Sequence, residues 1–135
     1  MSPRPRATVD DSKWPHVYVT WPSEPLEDEA FEAAVDAMSA LLQRKEPYVI
    51  VHDARRAVRP TPKQRAYAAE AQKRDAEPTR RLLRGVALVT ASPLIAGVLT
   101  AVNWIFPAPY PQKTFSTLSA AEAWVTAQLA GKHDR

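Results

Sequence analysis

The chain has 135 residues, 45% hydrophobic and 24% charged, which is the composition of a globular domain rather than of a disordered segment. Its net charge of +3 does not by itself imply a nucleic-acid partner. The absence of cysteine excludes disulfides, thiol catalysis and thiolate metal sites, and the length suits one domain with a sizeable core.

Residues 1–7 read as a flexible Pro/Arg tail, residues 8–131 as the domain and residues 132–135 as a second tail. No apolar stretch follows the first residues, so no secretory signal is expected and the setting is read as cytoplasmic. Thr8 to Asp10 begin a short strand, and Trp14 to Trp21 alternate in the manner of a second one. Ser23 offers an N-cap, with Pro25 in the first turn and Glu27, Asp28 and Glu29 complementing the dipole. Phe31, Ala34, Val35, Met38, Leu41 and Leu42 then recur at helical spacing, with Arg44 and Lys45 closing the helix. Tyr48 to Val51 are continuously apolar, as suits a central strand buried on both faces.

From Arg55 to Arg84 the chain carries ten Lys or Arg against three acids, Glu70, Asp75 and Glu77. Within it, Thr61-Pro62 reads as an N-cap followed by proline at the first helical position. The helix from about Lys63 to Ala76 has Tyr67 as its one large nonpolar group and alanine elsewhere on its inner face, so it should stand mostly in solvent. Pro78 should interrupt it. Gly85 to Gln112 then run without a charge, opening with a strand over Gly85 to Val89.

Ser92-Pro93 and Pro107 bracket an apolar helix from Leu94 to Phe106, shorter than the roughly 20 apolar residues a membrane span needs. That helix either fills the core or leaves a face with Leu94, Val98, Trp104 and Phe106, rimmed by Tyr110, for self-association or an apolar ligand. A homodimer through that area is one consequence. Lys113 to Phe115 form the last strand, and Ser119 caps a closing helix. The alternation predicts an α/β domain: a mixed, mostly parallel sheet of four to five strands with about four helices.

Only three glycines exist, Gly85, Gly97 and Gly131, so no phosphate loop or dinucleotide fingerprint can be written. His16, His52 and His133 lack metal-ligand spacing, no Gly-x-Ser-x-Gly elbow occurs, and no cofactor or metal is implied. His52-Asp53 ends a central strand, where active sites of open sheets gather; equally, Asp53 can cap a turn while His52 packs. If the strands are parallel, Ser23, Thr61, Ser92 and Ser119 bring four helix N-termini to one edge. Asp53, Arg55, Arg56, Arg59 and Lys63 would there form a rim for an acidic or phosphorylated partner or another anion; the alternative is a solvated basic surface. Aromatics are not interleaved with the basic residues, and no nucleic-acid-reading motif is present.

Tyr48-Val-Ile-Val-His-Asp53 with its Pro-and-basic sequel, Arg81 to Val89, Leu99-Thr-Ala-Val-Asn-Trp104 and Phe115 through Val125 together resemble the STAS-like superfamily. The similarity is to its bacterial SpoIIAA-like (STAS/SEC14-like) branch and spans about residues 14–130. The resemblance implies a non-enzymatic signalling and protein-interaction module. Proteins similar to anti-sigma-factor antagonists are phosphorylated on Ser or Thr just after the strand-end Asp. Here Asp53 matches but Ala54 follows it, and Thr61, the first hydroxyl downstream, is a helix cap. Two functions follow: a module meeting an acidic or phosphorylated protein through its basic edge, or a carrier or sensor of a small lipid-like amphiphile.

Overall fold

The computed structural model describes residues 4–92 and 108–131. The predicted helix over 94–106 lies outside them. The described residues form one five-stranded sheet in the order β1-β2-β3-β4-β5, the order of the sequence. β1 (Thr8–Lys13) and β2 (His16–Thr20) make an antiparallel hairpin. β3 (Tyr48–Asp53), β4 (Leu83–Val89) and β5 (Gln112–Phe115) follow in parallel. Because the parallel strands advance in one direction, right-handed crossovers all land on the same face. The helices between β2 and β4 obey that rule: α1 (Asp28–Ala40), α2 (Pro62–Arg74) and α3 (Ala76–Leu82). α4 (Leu118–Leu129) follows β5 and covers the opposite face.

Alternation in β3 and β4 feeds both layers. Tyr48, Ile50 and Val86 join Val17, Val19, Leu41 and Leu42 beneath α1 and the 3₁₀ turn that follows it. Val49, Val51, Ala87 and Val89 pack on Ala121, Trp124 and Val125 of α4. Tyr48 to Val51 are all 4% exposed or less, so the central strand is buried on both faces as its sequence implies. Gly85 lets α4 approach closely: a Cβ there would lie 3.1 Å from Cβ of Gln128.

Three boundaries differ from expectation. α1 begins at Asp28 with Glu27 before it, not at Ser23, because Pro25 and Leu26 run outside the helix and Leu26 turns into the cluster of Phe31, Val35 and Ala71. α4 is capped by Thr117, whose hydroxyl accepts from the Ala120 N–H at 3.3 Å, so Ser119 lies inside the helix. The basic segment makes two helices broken at Asp75, with Pro78 in the first turn of α3, where a missing N–H costs nothing. Among the described residues no helix is long and apolar enough to cross a membrane.

Thr61 caps α2 as expected, and the cap is reciprocal. The Gln64 N–H donates to Thr61 Oγ1 at 3.1 Å, and the Thr61 N–H donates to Gln64 Oε1 at 3.2 Å. The buried Gln64 amide also donates to the Leu26 carbonyl at 2.8 Å, tying α2 to the segment before α1. Thr61→Ala should therefore lower stability by about 1–2 kcal/mol, read as a fall in urea midpoint at constant slope.

Candidate functional site

α2 has no large aliphatic side chain to press onto the sheet. It leans instead on α1, through Ala68, Ala71 and Tyr67 against Phe31 and Val35, and the Tyr67 hydroxyl donates to Asp36 at 2.7 Å. Between this stand-off helix and the carboxyl-terminal half of the sheet lies a cavity of about 370 Å³. Val86 and Leu88 of β4 form its apolar floor, and Leu26, Phe31 and Ala54 form its buried or half-buried walls. Glu24, Val58, Arg59 and Gln72 are exposed at the mouth, and Arg65 is held there by donating to the Pro60 carbonyl at 3.0 Å.

His52, next to last in β3, is on this face, its side chain half-buried against the cavity. The Trp21 indole N–H donates to His52 Nδ1 at 3.0 Å, with the two rings stacked at 6.0 Å between centroids. An Nδ1 that accepts carries no proton, so the neutral ring bears its hydrogen on Nε2. Burial penalises the imidazolium and pulls the His52 pKa down to about 4.

Asp53 is next in sequence and, by strand alternation, on the opposite face, so the two do not form a dyad. Its carboxylate is gripped twice by Arg55, Nε to Oδ1 at 2.9 Å and Nη2 to Oδ2 at 2.8 Å. Those hydrogen bonds hold the Asp53 carboxyl below its usual pKa. Lys63 pairs with Asp28 at 3.2 Å. Three of the five residues expected at the rim thus carry charges already matched within the chain. Arg56 and Arg59 make no ion pair with any described residue, and only Arg59 reaches the cavity.

Of the apolar set expected from sequence, Tyr110 lines the cavity, whereas Leu94, Val98, Trp104 and Phe106 lie outside the described residues. Sequence reading did not connect Trp21, Phe31, Ala54, Leu88 or Gln112 with the site. One signal was present: a helix whose inner face is alanine cannot fill the space above a central strand. Among the described residues no three His, Asp or Glu side chains cluster to hold a metal.

No family model matches the chain, and no curated protein matches it. Among solved structures it is similar to a DUF3478-family protein of Shewanella loihica PV-4 with a SpoIIAA-like fold. The two are 16% identical and superpose with a TM-score of 0.68 over 93% of this chain and 98% of the other.

Proposed function

On the scaffold of a SpoIIAA-like fold, we propose that this chain is a noncatalytic carrier or sensor of a small amphiphile. The cavity carries the reading: an apolar chamber with Arg59 and Arg65 at its edge suits a ligand with an apolar body and an anionic head. At about 30 Å³ per water-sized group, it takes roughly a dozen non-hydrogen atoms. Among the described residues no serine or threonine lines it and the one acid, Glu24, stands exposed at the mouth, so these residues supply neither a hydroxyl nucleophile of that kind nor a buried acid–base pair.

Decanoate is a probe of suitable size. Calorimetric titration should show one site, and Arg59→Glu should weaken it by tenfold or more, since a charge-assisted hydrogen bond contributes about 1.5–3 kcal/mol. Titration without heat, together with a native mass spectrum free of added mass, would sink the proposal.

The second reading is an acidic or phosphorylated protein docked at the same sheet edge. It is supported by Arg56, which is exposed, unpaired among the described residues and outside the cavity lining. Arg56→Glu should leave decanoate affinity unchanged while abolishing capture of such a partner.

A further inference from the structure

Besides Trp21, Gln64 and Arg65, whose polar groups are already hydrogen-bonded, the half-buried polar side chains His52, Tyr110 and Gln112 line the chamber. None of His52 Nε2, the Tyr110 hydroxyl and the Gln112 side-chain amide has a hydrogen-bond partner among the described residues. None of these atoms is sealed from solvent, so a ligand that displaces the water at them must bring a partner of matching chemistry to keep the hydrogen bond. Resting on the cavity reading above, we infer that His52, Tyr110 and Gln112 read a carbonyl or ester oxygen in the body of the ligand. The class is thereby narrowed from plain fatty chains to oxygenated amphiphiles.

His52 decides the sign of that recognition. The Trp21 indole occupies Nδ1, so what the ring can still offer is the Nε2–H donor. A second acceptor belongs there, not a second donor. Burial keeps the ring neutral through the physiological range, so it discriminates by hydrogen bonding and not by charge. Tyr110 is likewise held protonated by burial, and its hydroxyl can donate. The charged end of the ligand is left to Arg59 and Arg65 at the edge.

Sheet register places these groups at two ends of the floor. His52 pairs with Leu88, whereas Gln112 pairs with Val86, which lies beside Ile50. Gln112 is therefore two strands across and one pleat back from His52, about 12 Å between α-carbons at standard strand spacing and rise. A ligand that fills the chamber passes both, so the position of its internal oxygen becomes a determinant of affinity. A site that offers a donor to a substrate oxygen disfavours the analogue lacking it, because the donor is then left unpaired.

The experiment compares decanoate with oxodecanoates whose ketone sits near the carboxylate, at mid-chain or near the tail, titrated calorimetrically into the full chain. At least one oxo isomer should bind about tenfold or more tightly than decanoate. His52→Phe should erase that preference, bringing the oxo isomers to the affinity of decanoate for the same variant. Should His52→Phe fail to fold with Trp21 deprived of its acceptor, His52→Gln keeps an amide in place and should retain part of the preference while shifting which isomer is favoured. Equal affinity for all four probes would overturn this inference and leave the cavity reading standing. Absence of binding by any probe would overturn both. An unaltered preference in the His52 variants would also overturn the assignment of that side chain.

Discussion

Leu88→Trp should abolish decanoate binding while leaving the domain at least as stable as the parent; Ala87→Leu, one residue earlier, should cost about 2–3 kcal/mol. The two positions are neighbours on β4 and face opposite layers. Leu88 looks into the 370 Å³ chamber, so an indole there enters space that none of the described side chains fills and buries additional apolar area. Ala87 is fully buried beneath α4, against Val125, Ala121 and Trp124, where three extra carbons have nowhere to go. Urea unfolding of both variants with calorimetric titration of the first is the measurement. Equal destabilisation at the two positions would mean that the chamber cannot accept atoms, and tight decanoate binding by Leu88→Trp would mean that the ligand sits elsewhere.

The second large effect is on acid stability. His52 has an ordinary pKa of 6.5 once unfolded and about 4 in the fold, so between those values the unfolded chain binds the extra proton. Stability should therefore be fully retained above about pH 6.5 and decline as the pH falls towards 4. The total loss is about 3 kcal/mol at 1.36 kcal/mol per pKa unit. The cause is desolvation of the imidazolium, reinforced because a protonated Nδ1 can no longer accept from Trp21. Asp53 contributes in a different window: its pKa lies below 3.8, so the stability from its Arg55 pair is lost only as pH falls below that value. Urea midpoints between pH 7 and 4 separate the two, and His52→Gln should flatten the upper part of the curve. A parent protein with a flat profile across that range would show that His52 is hydrated in the fold.

Much of this architecture is written locally. Tyr48 to Val51 announce a strand buried on both faces because every side chain is apolar, and Thr61-Pro62 announces a helix start because both residues suit only that position. Where two capping residues compete within a few positions, local signals fail. Ser23 loses to a start at Asp28 because Leu26 is drawn into a tertiary cluster, and Ser119 loses to Thr117. The rim was legible as a concentration of charge, but not its internal cancellation, which depends on the loop after β3 folding Arg55 back onto Asp53. The chamber is less legible still, since it is made of what α2 lacks. An alanine-rich helix reads as solvent-facing, and only its lean onto Phe31 and Val35 turns the missing side chains into an open-mouthed cavity.

The sequential strand order has a consequence for biosynthesis. Each strand emerges from the ribosome beside the neighbour it will pair with, so the sheet can grow one strand at a time without waiting for a distant partner. The helices above one face arrive as the sheet grows. The other face, with Val49, Val51, Ala87 and Val89, stays bare until α4 has been translated, after every strand of the described fold. A chain stalled before Leu118 would present a greasy sheet surface of a kind that chaperones recognise, so nascent molecules should be most vulnerable to aggregation in the interval between the last described strand and the completion of α4.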